Sequence, residues 1–156
     1  MAEPDNEAPN EAVLRIIEWL HGEGYKATAT ANGRGVSSGT SGLIFTIFTY
    51  DRSIQFFMGM NLEPGDVEVQ DCNDLNRDLR FLKIYLDPDQ DLSVELDAII
   101  DCSDEAAKDV FVRILRLWDS GLGQVKIWLR NLAEKSVAAS AAAIDAGDHE
   151  DVPTQT

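Results

Sequence analysis

The sequence predicts an α+β fold: an antiparallel sheet of about five strands with helices packed on it, in the order α-β-β-β-α-β-β-α. Three observations carry that expectation. Apolar residues recur at helical spacing near both ends of the 156-residue chain. Short β-rich runs between them are separated by tight polar turns. The strands come as hairpins rather than alternating singly with helices, which favours helices laid on an antiparallel sheet.

Taken in order, residues 1–9 are rich in Pro, Asn and Glu and are expected as a disordered acidic tail. Asn10 can cap a helix whose apolar face is Val13, Ile16, Ile17 and Leu20, ended by Gly22 and Gly24. His21 falls in the last turn, where a basic group complements the helix dipole. Tyr25–Ala31 reads as a strand, and the Gly- and Ser-rich stretch 32–42 as a flexible hairpin loop. Its glycines resemble a phosphate loop only in composition, because they lead into a strand rather than a helix. Leu43–Tyr50 and Ser53–Met60 flank Asp51-Arg52, which indicates a tight hairpin.

After the turn at 61–66, a short helix is expected from Asp71 or Asn73 to about Leu79. Arg80–Leu86 alternates as a strand, Asp87–Asp91 is a turn, and Leu92–Ile100 is the partner strand. Ser103 can cap the last helix, with Asp104 and Glu105 in its first turn. Phe111, Ile114, Leu115, Trp118, Leu122, Val125, Leu129 and Leu132 hold one stripe in phase through Gly121 and Gly123. One long helix is therefore expected rather than two. Residues 10–135 make a single domain, and 136–156 an Ala-rich helical extension with an acidic disordered tail.

The formal net charge is −15. Eight of the 28 acidic residues lie in residues 1–11 and 145–156, leaving 20 acidic against 13 basic residues in 12–144. Such a chain repels phosphate backbones and anionic membranes, so neither nucleic acid nor membrane is expected as a partner. The charge suits a basic protein partner. No apolar run reaches the roughly 20 residues of a spanning helix, and the acidic N-terminus has no signal-peptide core. A cytoplasmic location is expected.

No catalytic constellation, cofactor site or metal site is expected. Cys72 and Cys102 read as small residues near helix starts, although a thiol at a helix N-terminus can have a lowered pKa and be redox-active. Asp87, Asp89, Asp91 and Ser93 imitate the start of a calcium loop. Position 6 is then Leu92 and position 12 is Ala98, where the cage needs Gly and a bidentate Glu, so a solvated turn is the better reading. A metal-dependent enzyme using the 87–95 turn is the alternative. Trp118 lies on the long stripe and is expected in the core. Trp19 and Trp128 flank their stripes and are candidates for an interface, or else pack at a helix–sheet edge.

The stretch 72–101 resembles the YbjN family of small bacterial proteins, labelled sensory transduction regulators. The family pattern resembles N-x-W-N, then R-F, then a tyrosine before L-D-x-D-G-D. Here it stands as Asn73-Asp74-Leu75-Asn76, Arg80-Phe81, Tyr85-Leu86 and Asp87-Pro88-Asp89-Gln90-Asp91-Leu92, and Ile54-Gln55-Phe56-Phe57 is similar to a family strand. The likeness covers roughly residues 10–135. Leu75 stands where the family has Trp. Gln90 stands where it has Gly, which implies a turn without positive φ there. The resemblance implies a fold similar to type III secretion chaperones, which are acidic, cytoplasmic and commonly dimeric, and no active site. Asn73, Asn76, Arg80, Phe81, Tyr85 and Asp87 are given structural roles: Asn73 as a helix cap, Phe81 and Tyr85 on one strand face, Arg80 beside carboxylates. The expected function is non-enzymatic regulation or chaperoning by protein binding, with a homodimer in view. The alternative within that class is a secretion chaperone holding an effector segment.

Overall fold

The structure is a computed structural model that describes residues 8–147. Helix α1 (Glu11–Gly22) precedes strands β1 (Ala27–Ala29), β2 (Gly35–Thr40), β3 (Leu43–Thr49) and β4 (Ile54–Met60). Then come α2 (Val69–Asp78), β5 (Lys83–Leu86), β6 (Leu92–Ala98) and α3 (Lys108–Gly147). All strand pairs are antiparallel, in one sheet ordered β1-β2-β3-β4-β6-β5. The predicted α+β architecture is present, with six strands where about five were expected. The tails expected at 1–7 and 148–156 lie outside the described residues.

The sixth strand is β2, in the stretch read as a flexible loop. Its residues have little strand propensity of their own, but β1 and β3 supply a ladder on each side. Gly35 and Gly39 suit the close approach to β3: a Cβ at either would lie 3.1 Å from a backbone oxygen, of Ile47 or Leu43. Ser41 and Gly42 form the two-residue turn into β3 with φ of 53° and 81°, both positive as a tight primed hairpin requires. From α3, Lys126 Nζ donates to Ser41 O at 2.5 Å.

The helices begin where local chemistry allows. Asn10 Oδ1 accepts from Val13 N at 2.9 Å, the expected cap of α1. Helix α2 starts earlier than expected, at Val69, with Glu68 as its N-cap; Glu68 N donates to Asp71 Oδ2 at 2.9 Å. Asn73 is therefore an exposed residue inside the helix, not its cap. Ser103 does not cap the last helix either. Its N–H donates to Asp101 Oδ1, while Asp104 Oδ1 accepts from Ala106 N at 2.9 Å and opens a 3-10 turn into α3.

Helix α3 is continuous through both glycines. A Cβ at Gly121 would fall 2.4 Å from Leu82 Cδ1, so this glycine lets the chain before β5 lie close on α3; Gly123 faces open space. Phe111, Leu115, Trp118, Leu122 and Val125 are buried, as the stripe predicts. From Ala133 to Ile144 the side chains are exposed. Among the described residues, no helix is long and apolar enough to cross a membrane.

Strand alternation divides the sheet into two faces. Phe45, Ile47, Ile54, Phe56, Met58, Leu92, Val94 and Leu96 point to the helices and are buried. Phe56 is central: its ring lies 5.4 Å from Trp118, 6.1 Å from Phe111 and 6.2 Å from Phe45, centroid to centroid. Trp19, a candidate interface residue, belongs to this core instead. It is 1% exposed, with its ring 5.3 Å from that of Phe111 and tilted against it, because the stripe of α1 is wide enough to bury it beside Ile16. The indole N–H groups of Trp19 and Trp118 are buried without a hydrogen-bond partner. The opposite face carries Ile44, 75% exposed, and the half-buried Phe48 and Phe57, whose rings lie 6.2 Å apart.

Candidate functional site

The signature residues do not converge on one point. They divide between an edge of the sheet, its open face, a turn and a groove on the helix side.

Asn76 holds the edge. Strand β5 is the last of the sheet, and its outward backbone groups would otherwise invite another strand. Asn76 Nδ2 donates to Ile84 O at 2.7 Å, and Ile84 N donates to Asn76 Oδ1 at 2.9 Å. One amide side chain thus satisfies both outward groups in the middle of β5. At the far edge, His21 Nε2 lies 3.2 Å from Ala27 O of the three-residue β1. His21 therefore touches a strand edge as well as sitting in the last turn of α1.

Asp87 organises the turn between β5 and β6. Its Oδ1 accepts from the backbone N–H of Asp89 and of Asp91, each at 2.9 Å. Asp91 Oδ1 accepts from Leu62 N at 3.1 Å. These carboxylates serve the turn's own amides. Among the described residues, no group of three or more His, Cys, Asp or Glu is placed to hold a metal ion. The expectation of a turn without positive φ is corrected: Gln90 has φ of 67°, the left-handed conformation glycine adopts more readily.

Tyr85 lies on the open face with Lys83 and Glu95. Tyr85 Oη donates to Glu95 Oε1 at 2.6 Å, and Lys83 Nζ donates to Glu95 Oε2 at 2.7 Å. The register that pairs Lys83 with Glu95 and Tyr85 with Ser93 puts all three on this side. Burial alone would raise the Glu95 pKa. The hydrogen bonds from Lys83 and Tyr85, with the lysine charge, outweigh it and hold the carboxyl below its ordinary value. The hydrogen bond to Glu95, then burial, raises the Tyr85 hydroxyl.

A depressed folded-state pKa stabilises above the unfolded value, 4.5, and that contribution is lost as pH falls through the folded value. Glu95→Gln should cost about 1–2 kcal/mol at pH 7, below most of the roughly 1.5–3 kcal/mol for hydrogen bonds to a charged group because Lys83 is largely exposed to solvent. It should also flatten the fall in stability below pH 4.5. Urea unfolding at pH 7 and in acid checks this; equal pH slopes for the two proteins would contradict it.

Phe81 does not share the strand face of Tyr85. It precedes β5, is 64% exposed, and turns to the helix side. With Arg80, Leu82, Leu117, Gly121 and Gln124 it lines a cavity of about 250 Å³ against α3. Asp78 borders this cavity and a second one of about 240 Å³, lined by Asp71, Asp74, Leu75, Trp128, Leu132 and Lys135. Together they make a groove between α2 and α3 with an apolar floor, edged by Asp71, Asp74 and Asp78 and by the basic Arg80 and Lys135; Asp74 is also paired with Arg77. Half-buried Trp128, the other interface candidate, lies in it. Leu117 and Gly121 were not singled out from sequence as groove residues. Leu117 is 42% exposed and stands beside the buried stripe, a signal that could have marked it.

Both cysteines are buried thiols. Burial, with Asp101 nearby, pushes Cys102 up to about 12, opposite to the lowering a helix N-terminus can give. Burial also raises Cys72.

Comparison with known proteins bears on this architecture. Residues 13–130 match the model of the YbjN family, described as "Putative bacterial sensory transduction regulator". No curated protein matches the chain. Among solved structures, the chain is similar to YbjN of E. coli, described as "a putative transcription regulator". The identity is 16%, the TM-score 0.59, and the match covers 78% of this chain and 90% of that one. It is also similar to an uncharacterized protein from Methanothermobacter thermautotrophicus at 16% identity and a TM-score of 0.51, covering 77% and 97%. At these identities the structural likeness speaks for the fold.

Proposed function

From the premise that this chain belongs to the YbjN family, we propose that it is a non-enzymatic regulatory protein acting by protein–protein binding, and that the α2–α3 groove takes the partner. One observation carries the reading: Phe81 and Leu117 stand 64% and 42% exposed at the mouth of a cavity, beside Trp128 and the carboxylates of Asp71, Asp74 and Asp78. Exposed apolar and aromatic side chains around a concavity are the usual anchors of a binding surface. The apolar anchors favour an apolar segment, and the net charge of −15, more than the mixed charges of the groove itself, favours basic residues in it and disfavours nucleic acid. The family description supports a regulatory role and points away from catalysis. A cytoplasmic location fits this reading. A chaperone that adds an extended segment to the sheet needs a free edge. His21 and Asn76 occupy part of both, so the groove is preferred.

The test is affinity capture from bacterial extract with wild type, Phe81→Glu and Asp74→Lys in parallel. A partner retained by wild type, released by salt and lost by both variants is the expected result. Partners retained equally by the folded variants would sink the groove as the site.

A further inference from the structure

The open face of the sheet is separate from the groove, and its chemistry differs. We propose that this face is a self-association surface, on which a second copy of the chain packs sheet against sheet about a two-fold axis.

Charge is the first argument. The chain carries 28 acidic and 13 basic residues, yet the six strands place only three charged side chains on this face, Lys83, Glu95 and Asp97. Lys83 and Glu95 neutralise each other at 2.7 Å. Asp97 Oδ1 accepts from Gln55 Nε2 at 3.0 Å. A basic partner would be recognised by a cluster of acidic groups, whereas this face carries only Asp97 and the Lys83-paired Glu95. Two copies that each carry −15 repel almost everywhere, so they can meet where charge is absent or paired. The register sets Thr46 opposite Phe57 near the middle of the sheet, with Phe48 and Ile44 on the same side of β3. The centre of the face is thus uncharged, with Ile44, Phe48 and Phe57 around Thr46, and an isologous contact would set this patch against itself.

Extent is the second argument. Six strands about 4.8 Å apart, three to seven residues long at about 3.3 Å per residue, give on the order of 500–600 Å² per copy. That reaches the low end of a specific dimer interface, about 1,000–1,200 Å² in total. The edges are the third. Asn76 occupies the outward groups of Ile84, and β1 is three residues long, which discourages edge-to-edge pairing and leaves the face. Aligned packing of two twisted sheets is a stable solution for two such faces.

The test measures the mass of the full chain by light scattering and sedimentation from about 1 to 300 µM, with far-UV circular dichroism as the check on folding. Wild type should be a dimer at the upper concentrations, and added salt should tighten it by screening the like net charges. Thr46→Glu and Ile44→Glu place like charges against one another in the contact, and each should give a folded monomer throughout. Phe81→Glu, in the groove, should leave the dimer intact, so this inference and the partner-binding reading fail independently. A wild-type monomer at 300 µM, salt-induced dissociation, or a dimer unchanged in the folded Thr46→Glu and Ile44→Glu variants would each overturn the proposal.

Discussion

Phe56→Ala should destabilise the domain by about 3–5 kcal/mol, the range for deleting a buried phenylalanine. The ring is fully buried and contacts Phe45, Phe111 and Trp118, so it joins β3, β4 and α3 in one cluster. Its neighbours are large rings held by separate elements, which limits how far the cavity can collapse. Phe57, one residue on, points to the open face and is half-buried. Phe57→Ala at low protein concentration should cost about 1 kcal/mol, since less area leaves water on folding. Urea unfolding of both variants measures the contrast. Equal losses would mean that the two faces are not as different as their burial implies. Against a total stability of about 5–15 kcal/mol for a domain, the first loss approaches the threshold for unfolding.

Asn76→Ala should cost about 1–3 kcal/mol, because it leaves both outward backbone groups of Ile84 without their partner. Asn76→Asp is the sharper test. An ionised carboxylate can accept from Ile84 N but cannot donate to Ile84 O, and sets negative charge against that carbonyl. Its loss at pH 7 should match that of the alanine variant, and part should be recovered in acid, where the carboxyl gains a donor. In the folded protein its pKa is raised, so stability relative to wild type improves as the pH falls. An Asn76→Asp protein as stable as wild type at pH 7 would contradict the assigned role. Hydrogen exchange at Ile84 should also quicken in both variants.

Elements with strong periodicity were legible from the sequence. The stripe from Phe111 to Leu132 defined α3 across two glycines, and Val13 to Leu20 with Asn10 defined α1. The β3–β4 hairpin was legible because apolar β-formers flank a two-residue polar turn. What escaped depends on neighbours in space. Strand β2 is held by partners on both sides rather than by its own residues. The burial of Trp19 depends on Phe111, some ninety residues away. The left-handed Gln90 is held in a turn whose amides are fixed by Asp87. Of the site, Asn76 and Phe81 were singled out by resemblance. The bonds of Asn76 and the outward turn of Phe81 required the third dimension. The Lys83–Glu95 pair was implicit in strand parity and the short 87–91 turn, and follows once the register is fixed.

The end of α3 has a practical consequence. From Leu132 to Gly147 the helix runs about 22 Å beyond the last side chain packed on the core. A molecule with such a spar tumbles and diffuses more slowly than a sphere of its mass. Gel filtration calibrated on compact proteins will therefore read a monomer as too heavy. A retention volume alone would mistake its shape for stoichiometry, and only methods that report mass independently of friction can count the copies.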